Sequence, residues 1–139
     1  MRFRAHIDGA ARGNPGPAGA GVFIEPEGDR PSEELFESLG RATNNVAEYR
    51  ALLLALRRAK EMEADTVEIL SDSLLLVQQV NGIFKVKAPH LVPIVSDAVR
   101  QAKSFRRFSI RHVPREENKK ADRLANHGAA ASERRDRAP

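Results

Sequence analysis

Apolar residues recur at three- and four-residue steps through Val46, Tyr49, Leu52, Leu53, Leu56 and Ala59. That spacing is one face of an amphipathic helix of about four turns. Strict alternation marks another stretch, where Phe3, Ala5 and Ile7 interleave with Arg4, His6 and Asp8, a strand that ends on an acid. The run from Gly9 to Gly19 is so rich in Gly and Pro that it reads as a tight loop, where backbone approaches a ligand closely. Strands follow at residues 21–24 and 34–39, then a β-branched strand at 66–70 and a last one at 105–113. Ser71-Asp72-Ser73 caps a helix over 74–80 that Asn81-Gly82 stops, and further helices fall at 89–103 and 117–130.

This order, three strands, helix, strand, two helices, strand, helix, predicts an α/β protein. Its sheet is five-stranded and mixed: an antiparallel meander of three strands, with two later strands parallel to the first and helices over the faces. Ligands of such sheets gather beyond the carboxyl ends of the parallel strands. Asp8 and Asp72 are both expected at that edge.

The composition narrows the chemistry. The chain has 139 residues, 41% hydrophobic and 30% charged, which suits one soluble domain. Residues 1–131 read as the domain, and 132–139 as a charged, disordered tail. No run approaches the ~20 apolar residues of a membrane span, and no signal peptide opens the chain, so the expected location is cytoplasmic. There is no cysteine, so a metal would need carboxylate, carbonyl or histidine ligands, which favours hard cations such as magnesium or manganese. A net charge of +4 and pI near 9.8 permit a polyanionic partner, although a basic surface also serves solubility alone.

Each acid has a local explanation. With Asn45 as N-cap, Glu48 falls at the third helical position and forms a capping box. Asp8 before Gly9 is a turn former, Asp72 an N-cap, and Asp122 a surface helix residue near Lys119. Together the acids ask for more. Asp8 and Asp72 follow neighbouring strands and Glu48 begins a helix on that sheet, so three carboxylates could converge, and they could not all stay ionised without a cation.

Four stretches in order, Ile7-Asp8-Gly9-Ala10-Ala11-Arg12-Gly13-Asn14-Pro15-Gly16-Pro17, Thr43-Asn44-Asn45-Val46-Ala47-Glu48-Tyr49, Ser71-Asp72-Ser73, and Val113-Pro114-Arg115-Glu116-Glu117-Asn118 with Ala121-Asp122-Arg123-Leu124-Ala125-Asn126, resemble ribonuclease H of type 1. The likeness is to its compact reverse-transcriptase-like branch. It implies a ribonuclease H-like fold and a metal-dependent endonuclease that hydrolyses the RNA strand of RNA/DNA hybrids. By this resemblance Asp8, Glu48, Asp72 and Asp122 hold two magnesium ions, for which manganese can substitute, and the products carry 5′-phosphate and 3′-hydroxyl ends. His112 matches a mobile-loop histidine that assists proton transfer or product departure, although strand-end histidines are more often structural. Gly9, Asn14, Asn44 and Asn45 match minor-groove contacts, and Arg41 and Thr43 a pocket for a DNA-strand phosphate.

Three features depart from the family pattern. Leu74 stands where many relatives carry glutamine, Val46 replaces a residue that is often charged, and the segment 81–93 is too short for a basic protrusion. Lys85 and Lys87 are left as its obvious cations, so weaker or looser substrate binding is expected. The alternatives are a module that binds hybrid or duplex RNA without cutting it, and a nuclease whose main substrate is double-stranded RNA. A monomer is expected.

Overall fold

The computed structural model describes residues 1–137. Its strands are β1 (Arg2–Ala11), β2 (Gly16–Ile24), β3 (Glu33–Ala42), β4 (Thr66–Ser71) and β5 (Arg107–His112). The helices are α1 (Asn44–Glu61), α2 (Leu74–Val80), α3 (Val92–Ala102) and α4 (Lys119–Arg137), the last preceded by a single 3-10 turn, Arg115–Glu117.

The sheet order is β3-β2-β1-β4-β5. β1–β2 and β2–β3 are antiparallel, whereas β4 runs parallel to β1 and β5 parallel to β4, as the element order predicts. One face packs against α1, backed by α2 and α3, and α4 lies over β1, β2 and β3 on the other. Alternation along β1 sorts the side chains. Phe3, Ala5 and Ile7 are buried toward α1, so Arg4, His6 and Asp8 belong to the α4 face.

The glycine-rich run is mostly strand, not loop. Gly9–Ala11 extends β1 and Gly16–Gly19 opens β2, leaving a turn at 12–15 with a cis Asn14–Pro15 bond. The glycines serve packing between layers. A Cβ on Gly19 would lie 2.2 Å from the Ala129 nitrogen, and one on Gly21 2.4 Å from that of Ala125, so α4 rests directly on the β2 backbone.

The charged C-terminal stretch is also helical as far as Arg137, which corrects the expected tail over 132–137; Ala138 and Pro139 lie outside the described residues. Ser132 is buried, and its hydroxyl donates to the Ala18 carbonyl at 2.7 Å while accepting from the Gly40 N–H at 2.9 Å. Arg12 and Glu133 pair across this junction. A polar sequence is held as helix here by tertiary bonds that no local pattern reveals.

Candidate active site

Parallel register sets the geometry of the site. Ile7 pairs with Ser71, so Asp8 and Asp72 are the next residues along neighbouring strands. Asp72 follows the end of β4, while Asp8 lies within β1, which continues to Ala11. The start of α1 supplies the third acid. A Cβ on Gly9 would stand 2.3 Å from the Glu48 nitrogen, so only glycine lets the α1 backbone settle against β1 and bring Glu48 within range of the Asp72 charge, although Glu48 is not among the residues that line the cleft.

The capping explanation for Glu48 fails. Thr43 is the N-cap, its Oγ1 accepting from the Val46 N–H at 3.2 Å, and the first turn of α1 holds no acid. Ser73, not Asp72, caps α2, accepting from the Leu76 N–H at 3.2 Å. Both carboxylates are therefore left without a capping role.

Asp122 enters from α4 through a residue whose role was not legible. Asn118 is buried at 1% exposure; its Nδ2 donates to the Ile7 carbonyl at 2.9 Å, and its own carbonyl accepts from the Asp122 N–H at 3.0 Å. One side chain thus fixes the start of α4 to β1 immediately before Asp8. Asp8, Asp72 and Asp122 line one cleft of about 440 Å³ with Gly9, Ala10, Ala11, Asn44, Arg115 and Asn126.

The acids disturb one another. Burial first, then the charge of Asp72, then a hydrogen bond to Asp122 together with that residue's charge push the Asp8 carboxyl up to about 8. Glu48 is also raised, by burial and by Asp72, while a bond with Ser73 pulls the other way. Among the described residues no three acidic or histidine side chains are closed into a ligand set; instead Asp8 and Asp122 are close enough to raise the Asp8 carboxyl together with burial and Asp72. An all-oxygen donor set, short of positive charge and forced to retain a proton, fits a hard divalent cation.

Asn14 and Asn44 interlock the two loops at the cleft's rim. Asn14 Oδ1 accepts from the Asn44 N–H and Asn44 Oδ1 from the Ala11 N–H, each at 3.1 Å. Asn45 is exposed beside them. Arg41, at the end of β3, reaches Asp136 at 3.7 Å. Other expected residues stand apart. His112 is exposed at the end of β5, in register with Ser71, and is absent from the cleft lining. Lys85 and Lys87 sit on the exposed α2–α3 connection, also away from the cleft. Arg115 and Asn126, to which sequence reasoning gave no role, do line it; their places beside Pro114 and one turn after Asp122 were the available signal.

A family model described as reverse transcriptase-like matches residues 6–128. A bifunctional protein of Mycobacterium tuberculosis is 42% identical over 133 residues, covering 95% of this chain and 36% of the relative. The chain thus spans about a third of that relative's length. The crystal structure of RNase H1 from Halobacterium salinarum superposes with a TM-score of 0.88 at 40% identity, covering 94% of this chain and 99% of the other. LC11-RNase H1, solved in complex with an RNA/DNA hybrid, gives 0.83 at 36% identity, covering 94% and 98%.

Proposed function

This chain belongs to the reverse transcriptase-like, ribonuclease H-like family, and on that premise we propose that it cuts the RNA strand of RNA/DNA hybrids with divalent metal ions. The observation that carries the proposal is the crowding of Asp8, Asp72 and Asp122 in one cleft, with Asp8 forced toward its protonated form by burial and by the other two. A domain that only bound nucleic acid would gain nothing from so costly a cluster. The hybrid is the favoured substrate because LC11-RNase H1, similar along nearly its whole length, is a structure with that ligand.

In this reading Asp8, Glu48, Asp72 and Asp122 would hold two magnesium ions, which would supply the Lewis acidity and charge relief that in-line hydrolysis of a phosphodiester needs. The phosphate stays with the downstream fragment, leaving 5′-phosphate and 3′-hydroxyl ends. Asn118 holds Asp122 in place, and Gly9 lets Glu48 approach. The Asn14–Asn44 interlock fixes the rim over which the minor groove of the hybrid passes, where RNA is told from DNA by its 2′-hydroxyls. Arg41 and Thr43 receive a phosphate of the DNA strand, and Arg115 adds a cation to the cleft itself. His112 acts from outside the resting cleft, on proton transfer or product departure.

The test is cleavage of end-labelled RNA/DNA hybrid, duplex RNA and duplex DNA in magnesium, manganese and EDTA. RNA-strand cutting of the hybrid, lost in EDTA, is expected. Binding of the hybrid with no cutting in either metal would overturn the nuclease reading. Equal cutting of duplex RNA would overturn the substrate choice alone.

A further inference from the structure

Helix α4 covers only part of its face of the sheet. It packs on β1, β2 and β3 and makes no substantial contact with β4 or β5 among the described residues. The uncovered half can be read from register: Arg2 is paired with Thr66 and Thr66 with Arg107, Arg4 with Glu68 and Glu68 with Ser109, and Leu70 with Arg111. Residues paired across strands share a face, so Arg2, Arg4, Arg107 and Arg111 stand on that half-face together with one acid of β4.

That acid, Glu68, is shared three ways. Its carboxylate lies 2.7 Å from Arg4 Nε, 3.8 Å from Arg111 Nε and 3.9 Å from Arg2 Nη2. Arg4 also reaches Glu25 at 3.5 Å, and that carboxylate is held by His6 at 2.6 Å. The pairing is incomplete even so. Arg4 Nε and Glu68 Oε1 are close enough for an ion pair but not aligned for a hydrogen bond, and both are buried without one, as is Arg30 Nη1 beside them. Arg2, Arg107 and Arg111 are exposed. A sheet face is ordinarily closed by an apolar layer; this one presents the exposed guanidiniums of Arg2, Arg107 and Arg111, which suit phosphate oxygens.

The surface connects to the catalytic cleft along the chain, through the end of β5 and the turn after it. Arg111 lies one residue before His112 at the end of β5, and Arg115, in the turn that follows, lines the cleft. We propose that this half-face is a second phosphate-binding surface, which holds a single-stranded flank of the nucleic acid whose duplex portion occupies the cleft. The proposal rests on the nuclease reading for the duplex portion, but not for the surface's own affinity. A single strand suits it better than a duplex, because a flexible backbone can follow a strand edge into a shallow, charged track.

The experiment measures fluorescence anisotropy in EDTA, with the full chain and three probes: a single-stranded oligonucleotide, a blunt RNA/DNA hybrid, and the same hybrid with a single-stranded overhang. Wild type is expected to bind the overhang probe about tenfold more tightly than the blunt one. In R107Q/R111Q that advantage disappears, and the salt slope for the single strand falls by about 1.4, two charges at about 0.7 each. Glu68→Gln should act in the opposite sense, strengthening single-strand binding about threefold by freeing the guanidiniums. The reverse sign separates a phosphate surface from a variant that merely folds badly, and circular dichroism checks folding directly. No overhang advantage in wild type, or an equal loss on blunt and overhang probes, overturns the proposal. Failure to cut the hybrid in magnesium with the overhang advantage intact would instead overturn the nuclease reading.

Discussion

Two clusters of like charge occupy the same strands a few residues apart. β1 carries Arg2 and Arg4 toward one end and Asp8 toward the other, and Glu68 on β4 precedes Asp72, which lies just past that strand's end. The carboxylates are walled in by the start of α1, the start of α4 and the Asn118 anchor, and burial, then the charges of Asp72 and Asp122, push the Asp8 carboxyl up to about 8. The guanidiniums lie where no helix covers the sheet, with Arg2 and Arg111 more than half exposed. Water reaches the outer guanidiniums of the second cluster more freely than the carboxylates of the first. Burial, rather than the number of charges, decides which cluster requires a counter-ion to function.

The largest expected effect follows from removing one cleft carboxylate. Asp72→Asn should lower hybrid cleavage at least about 10³-fold, about 4 kcal/mol of barrier, with a native circular dichroism spectrum, since the exchange is nearly isosteric. Cleavage at the wild-type rate would show that these carboxylates are not the catalytic set. The loss should persist at every magnesium concentration tested.

A second consequence is thermal. The Asp8 carboxyl ionises near 3.8 in the unfolded chain and near 8 in the folded one. Between those values the unfolded state holds fewer protons, so stability without metal falls as pH rises from about 4 to about 8 and levels off above. Glu48, shifted in the same direction, adds to the slope. Asp8→Asn should therefore melt higher than wild type at pH 8 in EDTA, by about 5 °C or more, and should flatten the pH profile. Magnesium should raise the melting temperature of wild type and hardly change that of the variant. A melting temperature independent of pH in EDTA would remove the crowding argument.

Much of this was legible in the sequence, and the exceptions share a cause. Periodicity reports a residue's own element, so α1, the sheet order and the positions of Asp8 and Asp72 were recoverable. It does not report what another layer does to that residue. Gly9 and Gly19 read as loop glycines and Gly21 as an ordinary strand residue, yet all three are small because α1 and α4 press on the strands. Thr43 displaced Asn45 as the cap of α1, a shift of two residues that local preference cannot settle between two good caps. Ser132 to Arg137 read as a tail because its contacts lie on β2, β3 and the β1–β2 turn. Asn118, the residue that joins β1 to α4, was visible only as part of a motif.

His112 tests whether the resting cleft is the whole catalytic apparatus. It is exposed and outside the cleft lining, so His112→Ala should slow turnover by about tenfold, below the range typical of a general acid–base group. Hybrid affinity in EDTA and the magnesium-induced rise in melting temperature should not change. A loss of about 10³-fold or more would mean that the β5–α4 turn closes over the substrate and belongs inside the acid cluster. Unchanged turnover would leave His112 a strand-end residue with no part in the reaction.

The smallest effect is expected in the arginine cluster, and it bears most directly on the contrast between the two. Glu68 is the acid that Arg2, Arg4 and Arg111 share, and by contact alone Glu68→Gln would look severe. The pairs are partly exposed, however, and ion pairs of that kind contribute about 0 to 1 kcal/mol. Glu68→Gln should therefore cost no more than about 1 kcal/mol by urea denaturation at low salt, and less at 1 M salt, where the remaining guanidiniums are screened. The shift at Asp8 should survive the same salt, because its first cause is burial. If Glu68→Gln instead cost several kcal/mol at both salt concentrations, the arginine cluster would be as enclosed as the carboxylates, and the two ends of β1 would differ in sign of charge but not in kind.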